Sequence, residues 1–270
     1  MTGRSVLPHK LTLAAGLFLL GILGGPLSAS SGESEAQATA SGAPDVTPQA
    51  DRILREMGEY LASAQEFTFR ADISYDGLTT DEQKILYGAS ASVSVHRPDR
   101  LRVERTGDER SGGFVLDGGR FTVYDATAHV YAVAEVPPAI DAAVDSVFEV
   151  YGFSPPIADL VYADPYRTLI ENVAAGSFVG RHRVAGTACL HLAFSQEAID
   201  WQIWIEDGPR PVPRQLVITY KNEPGSPQYI ARLSGWDFQP RVSDHYFQFQ
   251  APAAFDQIEF LSLPQGEVKP

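Results

Sequence analysis

Glu66-Phe67-Thr68-Phe69-Arg70-Ala71-Asp72-Ile73-Ser74-Tyr75 is the stretch that decides the fold. Phe67, Phe69, Ala71, Ile73 and Tyr75 alternate with polar residues, the period of two expected of a strand with one face buried. Working outward, strand patterns continue up to residue 137. Val93 and Val95 end a strand that starts near Ile85, and Arg97-Pro98-Asp99 makes a turn. Leu101 and Val103 then alternate with Arg100, Arg102 and Glu104, and Phe114–Leu116, Phe121–Tyr124 and Val130–Val136 follow. The breaks Asp117-Gly118-Gly119 and Asp125-Ala126-Thr127 suit tight hairpins. Six consecutive antiparallel strands are expected.

On the N-terminal side the period changes to that of a helix. Thr47-Pro48 supplies an N-cap hydroxyl and a proline at the first helical position. Ile53, Met57, Tyr60, Leu61 and Ala64 fall on one stripe, with Arg52, Arg55, Glu56 and Glu59 opposite. On the C-terminal side, Pro138 opens a second helical stretch with Ile140, Val144, Val147, Phe148 and Tyr151 on one face and Asp141, Asp145 and Glu149 on the other. Pro155-Pro156 breaks it, and Asp164-Pro165 caps another piece carrying Tyr166, Leu169, Ile170 and Val173. Six more strand patterns cover Phe178–Ala185, Cys189–Ser195, Trp201–Glu206, Gln215–Lys221, Tyr229–Phe238 and Tyr246–Phe249. The order is helix, six strands, a helical insert, six strands. It is an α+β arrangement without alternating βαβ units.

Three further segments frame this domain. Residues 1–29 carry Arg4, His9 and Lys10, then the apolar run Leu11–Leu23, then Pro26-Leu27-Ser28-Ala29, the layout of a secretory signal. Thirteen apolar residues are too few for a membrane span, which needs about 20. The expected domain order is therefore a signal peptide (1–29), a disordered linker (30–47) rich in Ser, Ala, Gly and Glu, the folded domain (48–262) and a tail (263–270). The expected location is the periplasm, with no stable transmembrane span after processing. Net charge is −13; without Arg4 and Lys10, 19 basic residues face 34 acidic ones, a net −15. Such a chain repels nucleic acid and anionic lipid surfaces.

The order of elements resembles the LolA, LppX and RseB superfamily, and particular residues carry the likeness. Arg97-Pro98-Asp99-Arg100-Leu101-Arg102-Val103 is similar to the strand entry of LolA-like proteins. Phe114-Val115-Leu116-Asp117-Gly118 with Phe121-Thr122-Val123-Tyr124-Asp125 is similar to their hairpin. Gly186–Phe194 with Asp200-Trp201-Gln202-Ile203-Trp204-Ile205, Pro211, Pro213-Arg214 and Tyr220-Lys221 resembles a family of predicted periplasmic proteins of unknown function. The resemblance spans residues 48–262. It implies an open antiparallel half-barrel of about 11–12 strands with helices covering the concave face. The hollow between them would be apolar and suited to a small hydrophobic ligand, each buried CH₂ contributing about 0.8 kcal/mol.

Chemistry-bearing motifs are absent: no G-x-S-x-G, no H-E-x-x-H and no Cys-x-x-Cys. His96, His129, His182, His191 and His245 are scattered over five strands or turns, a poor pattern for zinc. Cys189, the single cysteine, reads as a small buried apolar residue. His191 is open to two readings, a polar contact at the cavity mouth or a satisfied histidine between strands. The chain is expected to be a binding protein, not an enzyme, without metal or cofactor. Its partner would be a hydrophobic small molecule or a lipidated protein; the alternative is an envelope sensor or protein-interaction module that meets a protein partner without transporting a ligand, and the third reading is an envelope enzyme. The expected cavity lining is Trp201, Ile203, Trp204, Trp236, Phe121, Val123, Leu101, Val144 and Phe148. The insert Pro137–Val173 is open to two readings, a lid whose prolines let it move as rigid pieces or a static plug that fills the sheet's hollow.

Overall fold

The computed structural model describes residues 45–79, 83–152 and 155–260. The expected signal peptide, most of the expected linker and the expected tail lie outside the described residues. All described strands belong to one sheet in the order β1-β8-β9-β10-β11-β12-β2-β3-β4-β5-β6-β7-β13. The six-strand run is present as β2 (Glu66–Leu78), β3 (Lys84–His96), β4 (Arg100–Gly107), β5 (Gly112–Asp117), β6 (Arg120–Asp125) and β7 (Val130–Glu135). The second run is β8 (Ala175–Val184), β9 (Thr187–Ser195), β10 (Ile199–Glu206), β11 (Pro213–Tyr220) and β12 (Gln228–Asp237). These eleven pair antiparallel with one another, β12 joining the two runs through β2. The sheet is open, its two ends formed by β1 (Asp45–Val46) against β8 and β13 (Asp256–Gln257) against β7, both parallel.

The structure departs from two expectations. Asp45–Val46 pairs with Ala175–Gly176, and Thr47 N–H donates to Gly176 O, so the folded domain starts before residue 48. Backbone pairing overrides a composition that lacks large apolar side chains. Tyr246–Phe249 is not a strand: Asp244–Phe247 form a 3₁₀ turn, with Phe247 buried and Tyr246 lying under Arg102. Its aromatic residues mimic a strand pattern because they pack on the sheet's other face, Phe249 contacting Tyr124 and Tyr131.

Register shows why one face of the sheet is core. Phe69, Val93, Val103, Phe114 and Val123 are successive cross-strand partners, as are Phe67, Val95, Leu101, Leu116 and Phe121. In the second run Phe194 faces Trp201, Trp201 faces Ile218, and Ile203 lies between Leu192 and Leu216. Because side chains alternate, each matched row lies on the same face. The β5–β6 hairpin turns through Gly118 and Gly119, both at positive φ (59° and 105°), a conformation that glycine adopts without strain.

The helices share this core. Helix α1 (Pro48–Ala62) buries Ala50, Ile53, Leu54, Met57, Gly58 and Leu61 and packs on β8, β10 and α3 (Pro165–Ile170). Its N-cap is Thr47 as expected, but the hydroxyl makes no cap bond. Asp164 does cap α3, accepting from Arg167 N–H at 3.0 Å. Helix α2 runs Ile140–Tyr151 and ends at Gly152 with φ 69°, a left-handed C-cap. A 3₁₀ turn, Ala158–Leu160, separates α2 from α3.

Candidate functional site

The cavity sits where the insert meets the first strand run. Its floor is Phe69, Val93, Leu101, Val103, Phe114 and Phe121, one inward residue or two from each of β2 to β6. Its roof is Val144 and Val147 of α2 with Pro155, Ile157, Ala158 and Val161. No polar side chain lines it. Its volume is about 40 Å³, room for little more than a water molecule. Small-molecule sites span about 300–1,000 Å³, so the roof fills this hollow almost completely.

Polar contacts around its rim hold the roof. Arg97 leaves the β3–β4 turn and sends its guanidinium inward. It donates from Nε to Ala64 O (3.1 Å), from Nη1 to Val161 O (2.9 Å) and from Nη2 to Tyr162 O (2.8 Å). One side chain thus ties the end of α1 and the middle of the insert to the sheet. Burial holds its pKa below the ordinary arginine value, and Asp141 partly offsets this. Two carboxylates from the helix face opposite the apolar stripe do related work. Asp145 Oδ1 accepts from Tyr162 OH (2.7 Å), and Asp141 Oδ1 accepts from Ala163 N–H (2.9 Å). Burial, then the bond to Asp145, raises the Tyr162 pKa, so that hydroxyl remains a donor. Glu149 alone of the three is exposed.

The structure divides the nine residues expected to line the hollow. Leu101, Phe121 and Val144 line it. Val123 faces the same side, paired with Phe114, but is packed outside the lining. Phe148 sits half-buried on α2, also outside it. Trp201 and Ile203 belong to the other half of the core, near α1, where the Trp201 ring stacks on Phe194 at 4.2 Å. Trp236 stacks on Phe69 at 4.4 Å and donates Nε1–H to Pro213 O. Trp204 is a correction, for alternation puts it on the face opposite Trp201. There it stacks on His191 at 3.8 Å. His191 Nδ1 is 3.0 Å from His182 Nδ1 and its Nε2 is 3.0 Å from Gln202 Oε1. Of the two readings of His191, the satisfied interstrand histidine is the one observed. Among the described residues, no group of three or more His, Cys, Asp or Glu could hold a metal.

In the sequence Arg97 stands only in a turn, with no role marked for it. Its one signal is an arginine set before proline at a strand entry, where no alternation assigns it a face. Arg105 is likewise unmarked, although Leu101, Val103 and Arg105 share one phase of β4.

The class these observations define is an open, mostly antiparallel sheet whose apolar face lines a small hollow together with residues of the helical insert. The chain belongs to the family described as "Predicted periplasmic protein (DUF2092)", whose model matches residues 50–261. With that family, it is a periplasmic protein. No curated protein matches it. In fold it is similar to an uncharacterized conserved protein from Thermus thermophilus (12% identity, TM-score 0.46, 78% of this chain and 99% of that one). It is also similar to the Mycobacterium tuberculosis lipoprotein LppX (13%, 0.46, 73% and 99%). A LolA superfamily protein from Nitrosomonas europaea is a third (11%, 0.38, 74% and 97%). Among the described residues, no helix is long and apolar enough to cross a membrane.

Proposed function

We propose that this protein is a periplasmic carrier that binds one acyl-chain ligand on the inner face of its sheet, beneath the α2–α3 insert. The observation that supports this reading is the wholly apolar lining of the hollow under a roof held by few polar contacts. The roof must lift to admit a chain, since about 40 Å³ cannot hold one. Gly152 at the α2 C-cap and Pro155-Pro156 divide the insert into pieces that move without unfolding α2. An acyl chain would then replace Val144, Val147, Ile157 and Val161 against Phe69, Leu101 and Phe121.

Pyrene-labelled dodecanoic acid tests this. The mature chain should bind it one to one, and Val144→Trp, which fills the hollow from α2, should abolish binding with the fold retained. An absence of binding, or binding that ignores the substitution, overturns the proposal. One observation favours a second reading, a protein-interaction module with no ligand: the hollow is almost full as it stands. That reading requires the same titration to fail while a protein partner is captured from the envelope.

A further inference from the structure

Past the cavity, the inner face of the sheet changes character. On β4 the inward positions run Leu101, Val103, Arg105, so a guanidinium follows the last cavity residue by two residues, about 7 Å. Tyrosines gather on the same face at this end. Tyr229 pairs with Tyr75, and Tyr75 with Tyr87, across β12, β2 and β3. Tyr220 ends the adjacent β11, and Tyr75, Tyr220 and Tyr229 all pack against the buried core. Between them and the cavity lie Ala71, Ala89 and Ala91, which keep the face low.

The polar atoms here are mostly donors. Arg105 Nη2 donates to Tyr75 OH (3.2 Å), and Nη1 donates to Arg110 O (2.9 Å). Among the described residues, the hydroxyls of Tyr220 and Tyr229 have no hydrogen-bond partner. Burial raises the pKa of both, Tyr220 to about 12, and the charge of Arg105 works against the rise at Tyr229. Neither oxygen is among the fully buried unpaired atoms, so water reaches both, and an oxyanion that displaces this water meets two phenolic donors. Glu109 Oε2 accepts the Tyr75 hydroxyl's hydrogen bond at 2.6 Å, and the charge of Glu223 also bears on Tyr220. Glu109 is exposed, in the turn between β4 and β5, so it can withdraw.

We propose that Arg105, with the hydroxyls of Tyr75, Tyr220 and Tyr229, receives the anionic head, carboxylate or phosphate, of the ligand whose chain lies toward Val103 and Leu101, and that Glu109 holds this place until displaced. Charge-assisted bonds from guanidinium and phenol to an oxyanion are the strong ones. The site lies on a half-buried face, where water competes less than at the surface. The inference rests on the carrier reading and adds the ligand class: a single-chain or branched amphiphile with one negative head.

The test compares pyrene-labelled dodecanoic acid with its methyl ester, and with dodecyl phosphate as competitor, on the mature chain. The acid should bind at least about tenfold more tightly than the ester, the range expected for a charge-assisted bond. Arg105→Gln should remove that preference while ester affinity stays within about twofold. Tyr229→Phe, which keeps the ring, should reduce it in part, and Glu109→Gln should strengthen acid binding. Dodecyl phosphate should compete; a phosphate that competes better than the acid assigns the head to phosphate, the reverse to carboxylate. Equal binding of acid and ester, or a preference that survives Arg105→Gln, overturns the head site and leaves the carrier reading intact. Failure of both probes to bind overturns both.

Discussion

Arg97→Met should loosen the roof without unfolding the sheet. The wild-type guanidinium donates three hydrogen bonds, to Ala64 O, Val161 O and Tyr162 O. Hydrogen bonds from charged donors contribute about 1.5–3 kcal/mol each. Methionine forfeits all three, but it also relieves the desolvation of a buried charge, and the freed carbonyls regain water as the insert lifts. The net loss should be about 2–4 kcal/mol. For a domain of this size that lowers Tm by roughly 5–15 °C. Hydrogen exchange should locate the effect: amides from 140 to 170 should exchange faster, while β2 and β3 stay protected. Arg97→Lys should recover little, because one ammonium cannot reach three carbonyls in fork geometry. A loss below about 0.5 kcal/mol, or unchanged protection across the insert, would refute the assignment of Arg97 as the roof's main tie.

Gly58→Ala should destabilise, although alanine is favoured by about 1 kcal/mol inside a helix. A Cβ there would meet Tyr166 Cβ at 2.5 Å and its backbone N at 2.8 Å, so α1 and α3 must part. Overpacking of this kind costs about 1–3 kcal/mol, and urea melts should show the net loss. Gly113→Ala should be worse tolerated, its Cβ falling 2.1 Å from the backbone oxygen of Val103, a cavity residue; soluble yield and melting temperature report it. Acid should also destabilise through His191. Burial, then the neighbouring His182, lowers its pKa against the bond to Gln202. The unfolded chain takes that proton near pH 6.5 and the folded chain only lower. This contribution to stability is therefore flat above about pH 6.5 and falls as pH drops below it. His191→Gln should flatten this part of the pH profile in chemical denaturation.

How far the sequence could be read depended on period. Where strands alternate strictly, as in Phe67–Tyr75 or Leu101–Val103, both the element and the inward face were legible, because a one-residue slip would expose the whole row. That logic also separates Trp201 from Trp204, and placing Trp204 in the hollow weighs aromatic character above phase. Asp45–Val46 and Asp256–Gln257 were illegible, since two residues on a sheet edge carry no period. The 3₁₀ turn at Asp244–Phe247 was hidden by an aromatic spacing that serves packing on the far face. In the hollow, Leu101 and Phe121 share a phase with their apolar strand neighbours, but which half of the long sheet the insert covers has no local signal. That depends on where the chain re-enters after Pro155-Pro156, a tertiary choice. The polar ties of Arg97, Asp141 and Asp145 reach backbone or side chains 17 to 65 residues away, and no local pattern announces them.

The hollow's readiness to open for a guest is tested most directly by native mass spectrometry of the protein released from the periplasm without detergent. The expected spectrum contains a population carrying one added mass, released on activation as an acyl-chain lipid and lost in Val144→Trp. A spectrum showing only the bare chain, unchanged after incubation with dodecanoic acid and dodecyl phosphate, would contradict it.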